Sequence, residues 1–338
     1  MAESLAVKHR PQTLDEICSQ GSIIKILKKQ YELNQIKNCY LFSGCSGCGK
    51  TTTARAFANL INDNKGGIIE IDGASNSGVE NVRKIIKEAQ ERSIESKYKI
   101  YIIDECHALS NAAWQAFLKC IEEPPKYTIF MFCTTDPQKI PATILNRVMR
   151  FTVTKIPTDI IVERLKYICR VEQFNFTDDA IEFISKMSDG GLRDAIANLE
   201  KVADYGDINI ENALTCLGSY SYSMFFKLVN SIIDGIDADV LSIIEDVYNS
   251  GSDLKLFVEQ FLNFTLDVAK YAIFKNCKLI KIPSSMEPDL KNATAIENAS
   301  QYYMYLVNRI LELKQMLKND TAVKDTIEVM FMKMCRYL

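Results

Sequence analysis

Residues Gly44-Cys45-Ser46-Gly47-Cys48-Gly49-Lys50-Thr51 satisfy the pattern G-x-x-x-x-G-K-[S/T] at every fixed position, and Asp104-Glu105 end a later apolar run. The loop follows the apolar run Cys39-Tyr40-Leu41-Phe42, which reads as a short buried strand. It opens a helix-like stretch from Thr51 to Leu60 that contains Ala54, Ala56, Phe57 and Ala58. Strand, loop and helix in that order is the setting in which this motif cradles phosphates. Glycines let successive N–H groups point inward, and the helix N-terminus adds positive potential. The expected phosphate contacts are Gly44, Ser46, Gly47, Cys48, Gly49, Lys50, Thr51 and Thr52. Lys50 would reach the β- and γ-phosphates of a nucleoside triphosphate, and the Thr51 hydroxyl would ligate Mg²⁺.

Lys99-Ile100-Tyr101-Ile102-Ile103-Asp104-Glu105 is a buried-strand pattern that ends in two acids. Ligands of α/β sheets sit at the carboxyl ends of strands. Asp104 is thereby placed to hold the Mg²⁺ shell, and Glu105 to orient or deprotonate a water for attack on the γ-phosphate. From residue 39 to about 153 apolar runs alternate with helical periodicity, which argues a parallel sheet with helices on both faces. The pattern predicts strands at 39–43, 68–72, 99–103 and 127–133 and helices near 51–62, 79–93 and 110–121. The last of these starts after Ser110, a plausible N-cap, and stops at Glu123-Pro124-Pro125.

Pro157 marks the exit from this α/β region, and the strand patterns then fade. Residues 158–172, 177–188, 192–203 and 210–216 read as short amphipathic helices, with Thr177 and Asp207 in capping positions. Gly218-Ser219-Tyr220-Ser221 reads as a boundary before a further helical region. There, Lys281 to Asn298 is the longest expected loop, and Tyr302, Tyr303, Leu306, Val307, Ile310 and Leu313 form an expected core stripe.

A chain of 338 residues has room for about two or three domains. The net charge of −3 gives no global basic signature, so any nucleic-acid contact must use a local surface or backbone amides. No apolar run reaches membrane-spanning length. Met1 to Pro11 holds Glu3, Lys8 and Arg10 but no signal-peptide core, and the expected location is cytoplasmic, without a membrane partner. Of eleven cysteines, only Cys45 and Cys48 form C-x-x-C, inside a loop whose backbone is committed to phosphate. Cys120, Cys133, Cys169 and Cys216 read as reduced core thiols.

Several further segments resemble one family. Lys8-His9-Arg10-Pro11-Gln12-Thr13-Leu14-Asp15-Glu16 is similar to the N-terminal adenine-pocket segment of clamp-loader ATPases. Ile69-Glu70-Ile71-Asp72-Gly73-Ala74-Ser75 resembles their second strand and its turn. Leu109 to Lys119 with Glu122-Glu123-Pro124-Pro125 resembles the helix and turn after the acidic strand. Thr134 to Pro141 is similar to the sensor 1 segment, and Gly190-Gly191-Leu192-Arg193-Asp194-Ala195 to the sensor 2 helix. By this resemblance the chain is identified as a member of the AAA+ clamp-loader ATPases, of the type of bacterial DNA polymerase III gamma/tau. The match is ordered across residues 5 to about 205 and weaker beyond.

The resemblance implies an α/β AAA+ domain over 1–157, a helical lid over 158–218 and a helical collar over 219–338. It implies adenine-pocket contacts from Ala6, Arg10 and Pro11. It implies that Arg193 reaches the γ-phosphate of its own subunit and that Thr135 helps position the attacking water. Arg147 would enter a neighbouring subunit's site in trans. Ser110 and Asn111 are the DNA candidates, with simple helix capping as the alternative. The implied partners are other loader subunits in a homo- or hetero-oligomer, a pentamer, together with a sliding clamp and primer–template DNA.

The chain departs from the family at several points. The family's Ser-Arg-Cys reads Asn146-Arg147-Val148 here. Its four-cysteine zinc module is replaced by Asn62-Asp63-Asn64-Lys65-Gly66-Gly67, so no zinc is expected. Asn76-Ser77-Gly78 stands where basic residues are common. The resemblance stops at the collar, so a tau-like tail is not expected, which would suit a compact loader from a phage, in the host cytoplasm, or from a divergent replicon. Other functions stay open: a mainly structural loader subunit, another AAA+ nucleic-acid-dependent ATPase, or one of the D-E-x-H type, since Asp104-Glu105-Cys106-His107 fits that box. The last needs a second RecA-like domain, and no Q-x-x-R-x-x-R pattern appears.

Overall fold

The computed structural model describes residues 3–93, 96–218 and 220–336. Ser219, in the boundary read from the sequence, and Tyr337-Leu338, at the end of the last segment, lie outside the described residues, as do Met1 and Ala2. The strands are β1 (Cys39–Gly44), β2 (Ile68–Asp72), β3 (Lys99–Asp104), β4 (Thr128–Thr134) and β5 (Met149–Val153). All neighbouring pairs are parallel, in the order β2-β3-β4-β1-β5. The helices up to residue 205 are α1 (Leu5–Lys8), α2 (Gly21–Glu32), α3 (Lys50–Ile61), α4 (Val79–Ala89), α5 (Asn111–Glu122), α6 (Ala142–Leu145), α7 (Thr158–Glu172), α8 (Asp178–Met187) and α9 (Leu192–Tyr205).

The chain divides into two compact units. One comprises the residues up to Val171 with Ser188–Glu200, and the other Glu172–Met187 with Lys201 onward. In the first unit the period-two alternation of strand side chains feeds two cores. Leu41, Tyr101, Ile103, Phe130 and Phe132 face one side, where Val82 and Ile85 of α4 and Trp114 and Phe117 of α5 cover them. Tyr40, Phe42, Ile100, Ile102, Met131 and Cys133 face the other, under Ile23 and Leu27 of α2 and Ala54, Phe57 and Ile61 of α3. Both faces are covered, which is why the strands read as continuous apolar runs rather than alternating ones.

The second unit is helical, apart from one isolated parallel bridge between Phe176 and Ile208. Beyond α8 it contains α10 (Ile210–Cys216), α11 (Tyr222–Ile233), α12 (Asp237–Asn249), α13 (Leu254–Phe274), α14 (Glu287–Ala293), α15 (Ala299–Met316) and α16 (Val323–Cys335). Phe225, Phe257, Phe261 and Phe264 pack ring against ring between α11 and α13. Tyr303, Leu306, Val307, Ile310 and Leu313 of α15 are buried as the periodicity predicts, while Tyr302 is only half-buried.

Several expectations need correction. The strand β5 was not among those predicted: Arg150 and Thr152 are exposed on this sheet edge, so only Phe151 and Val153 are buried. The helix expected to run to residue 93 ends at Ala89. Lys281 to Asn298 is not one loop, because α14 lies within it with Pro288 in its first turn, where the missing N–H costs nothing. The cap of α10 is Asn209, whose side chain accepts the Asn212 amide, and Asp207 instead lies just before it. Cys216 is half-exposed rather than core.

Residues 62–67, which the resemblance sets in place of a zinc module, close through one amide side chain. Asn62 is 1% exposed. Its Nδ2 donates to the Gly66 and Tyr98 carbonyls at 2.7 and 2.8 Å, and its Oδ1 accepts the Tyr98 amide at 3.0 Å. Among the described residues no group of three His, Cys, Asp or Glu could hold a metal ion. Asn62→Ala removes three hydrogen bonds to the Gly66 and Tyr98 backbone and is expected to destabilise this unit by about 1–2 kcal/mol. Urea denaturation followed by the fluorescence of Trp114, the single tryptophan, reads this unit directly.

Candidate functional site

The sheet order sets β3, β4 and β1 side by side, and their carboxyl ends carry the polar residues. The loop after β1 needs glycine twice for steric reasons. A Cβ on Gly44 would meet the Val153 carbonyl oxygen at 2.1 Å. Gly49, immediately before α3, has φ +101°. Lys50, the first residue of α3, is 6% exposed, and its Nζ donates to the Cys45 carbonyl at 2.8 Å. A buried ammonium must have a partner, and the loop's own backbone supplies one. Thr51 Oγ1 donates to Asp104 Oδ2 at 2.7 Å. Cys48 is buried against the loop, and burial pushes its thiol up to about 11. Ser46 is exposed at the loop's outer edge.

Glu105 follows Asp104 with its amide on Asp104 Oδ1 at 3.0 Å. The Thr135 hydroxyl, just past β4, donates to Glu105 Oε2 at 3.1 Å. From the N-terminal segment, Arg10 Nε donates to Thr52 Oγ1 at 3.3 Å. Burial first, then the positive charges of Arg55 and Arg193, lower the Arg10 pKa, and Glu70 and Asp104 oppose them. Arg10 stays charged all the same. Ala6, in α1, and Pro11 are both half-buried. The start of α9 docks on the loop: the Leu192 amide donates to the Gly47 carbonyl at 3.1 Å. Arg193, the next residue, is exposed.

The structure thus brings together Lys50, Thr51, Asp104, Glu105 and Thr135, with Arg10 and the start of α9 alongside. It does not bring Arg147 to them. Arg147 Nη2 pairs with Glu122 Oε1 at 2.7 Å, and Nη1 donates to the Thr143 carbonyl at 2.7 Å. Val148, at the family's cysteine position, is buried in the core under α5 and α6. Ser110 and Asn111 are exposed at the start of α5, where Ser110 Oγ accepts the Ala113 amide at 3.2 Å. The sequence reading missed the ion pair between Arg55 and Glu70 beside Arg10. Its only signal was that Arg55 lies one turn into the helix after the loop. Two hard oxygens 2.7 Å apart, beside a cation held only by a carbonyl, fit a Mg²⁺–triphosphate. Among the described residues no helix is long and apolar enough to cross a membrane.

Comparison with known proteins finds relatives over most of the chain. The family model for the DNA polymerase III delta subunit matches residues 66–157, and that for domain III of DNA polymerase III subunits gamma and tau matches residues 208–335. The chain is 35% identical to DNA polymerase III subunit tau of Bacillus subtilis over 78% of this chain and 51% of that one. It is 30% identical to subunit gamma/tau of Mycoplasma genitalium over 90% of this chain and 54% of that one. The chain therefore spans about half the length of these relatives. Among solved structures it is similar to the RuvB Holliday junction branch migration motor of Thermotoga maritima. That match has a TM-score of 0.52 and 20% identity and covers 77% of this chain and 91% of that one, a likeness of fold. DNA polymerase III subunit gamma of Buchnera aphidicola from Schizaphis graminum is 31% identical over 91% of this chain and 90% of its own. The protein belongs to the DNA polymerase III gamma/tau subunit family, with an α/β AAA+ fold.

Proposed function

We propose that this chain is an ATP-hydrolysing clamp-loader subunit that helps open a sliding clamp and load it on primer–template DNA. The observation that carries the reading is the meeting of the phosphate loop, Asp104-Glu105 and Thr135 on three adjacent strand ends in a member of the gamma/tau family. In this reading residues 1–157 are the motor, 158–218 the lid and 219–338 the collar of an oligomer, a pentamer with other loader subunits. The work is cytoplasmic.

ATP binding exchanges the Cys45 carbonyl for phosphate oxygens at Lys50, while amides from Gly44 to Thr52 line the phosphates. Thr51 and Asp104 would hold Mg²⁺, which supplies charge neutralisation at the phosphates. Ala6, Arg10 and Pro11 flank the nucleotide. Glu105 accepts a proton from the attacking water, and Thr135 holds that carboxylate. Arg193, beside the loop-docked start of α9, meets the γ-phosphate from the same chain. Arg147 acts on a neighbour's nucleotide, which requires it to leave Glu122. Ser110 and Asn111, exposed at a helix N-terminus, are placed for DNA phosphates, where a few amides and cations per subunit suffice.

Glu105→Gln is expected to keep ATP affinity and lose turnover, and Lys50→Ala to lose affinity itself. Titration calorimetry with ATP and a phosphate-release assay separate the two. Normal turnover in Glu105→Gln removes that residue from the chemistry.

Arg147→Ala is expected to leave affinity nearly intact and to lower turnover in the assembled complex by roughly a thousandfold or more, the scale of a lost arginine finger. Mixing supplies the sharper measurement. A Glu105→Gln subunit still carries Arg147, so it restores turnover at an adjacent Arg147→Ala site. No recovery in a complex shown to contain both variants side by side means that Arg147 does not act in trans.

A further inference from the structure

The Glu105 carboxylate is held by a second group besides Thr135. The chain leaves β3 through Glu105 at φ +44°, a left-handed conformation that is uncommon for a residue with a side chain. This turn begins the short 3-10 segment Cys106–Ala108 and brings the His107 ring back onto Glu105. His107 Nδ1 lies 3.2 Å from Glu105 Oε2 and 3.2 Å from Thr134 Oγ1. The ring is 21% exposed, and Thr134, at the end of β4, is fully buried. Glu105 Oε2 therefore meets both His107 and the Thr135 hydroxyl. No donor among the described residues reaches Oε1.

The tautomer follows from donor bookkeeping. An ionised carboxylate only accepts, and its charge 3.2 Å away favours the tautomer with the proton on the ring nitrogen facing it. Thr134 Oγ1 already accepts the Asp136 amide at 3.0 Å and has a second lone pair for the same Nδ1–H. The Nδ1–H thus faces a buried hydroxyl, which fixes the ring to β4, and lies within ion-pair distance of the carboxylate.

We infer that His107 is a positioning residue for the carboxylate that activates water: its Nδ1–H, together with the Thr135 hydroxyl, pins Oε2 and leaves Oε1 as the proton acceptor. The inference rests on the role proposed above for Glu105. In the step, a water O–H bond breaks and its proton passes to Oε1 as the water oxygen bonds to the γ-phosphorus. The bond from that phosphorus to the bridging oxygen breaks, and ADP leaves with its electron pair. Without His107 the carboxylate can turn about its one bond to the Thr135 hydroxyl, and misplacement by about 1 Å costs up to a hundredfold in rate.

The test is single-turnover ATP hydrolysis by the full chain, with protein in excess, alongside ATP affinity by calorimetry. His107→Phe keeps a ring and removes the donor; it is expected to slow hydrolysis by roughly ten- to a hundredfold while affinity changes less than about twofold. His107→Asn returns an N–H near the Nδ1 position and is expected to restore most of the rate. In a Glu105→Gln background, His107→Phe is expected to add nothing, because the carboxylate to be positioned is gone. A His107→Phe rate within about twofold of the unmodified chain overturns the inference, as does a further loss in the Glu105→Gln background. Full activity in Glu105→Gln overturns instead the reading on which it rests.

If His107→Phe does not fold, ¹⁵N spectra of histidine-labelled, unmodified protein read the same contact. The chain has two histidines, so assignment is simple. An Nδ1-protonated ring for His107 supports the inference, and a ring protonated only at Nε2 overturns it.

Discussion

Parallel strands are joined by crossovers, and the crossover after β1 carries the chain past two strand positions before β2 forms. β3 and β4 then fill the gap, so β4 comes to lie against β1. The remaining geometry depends on this reversal. Strands buried on both faces have no room for polar side chains along their length, so the chemistry is confined to their carboxyl ends. The loop after β1, the acids at the end of β3 and the threonines at the end of β4 are neighbours because the strands are. None of them needs a long reach to form the cluster.

Polar groups gathered at the strand ends satisfy each other. Lys50 leans on a carbonyl, Thr51 on Asp104, and Glu105 on Thr135 and His107. These bonds are local substitutes for what a triphosphate and its ion would offer. Each donor is therefore oriented before the ligand arrives, which limits the ordering that binding has to do. The α9 amide on the Gly47 carbonyl extends that order to a segment far along the chain.

Much of this was legible in the residues. The loop's glycines and lysine are dictated by close backbone approach and by phosphate charge, and an apolar run ending in two acids admits few other readings. The first strands and helices of the α/β unit were visible because double-sided burial writes long apolar runs. β5 was not, because its edge position leaves Arg150 and Thr152 in solvent and interrupts the run. α14 was hidden by Pro288 and by polar neighbours, although proline suits a first turn. The contact between His107 and Glu105 could not be read from spacing. It depends on a left-handed φ at Glu105, which no residue-type preference announces for glutamate. Arg147 could be found by its motif, but its tie to Glu122 comes from the packing of α5 beside α6.

Asn62 carries a consequence for how the chain is made. A corner closed by thiolates around an ion is finished only when a metal has been delivered. Here the partners of Asn62 are peptide groups of Gly66 and Tyr98, the farther one 36 residues downstream. The corner can therefore close during synthesis as soon as that stretch has cleared the ribosome, because every partner of Asn62 is a peptide group of this chain.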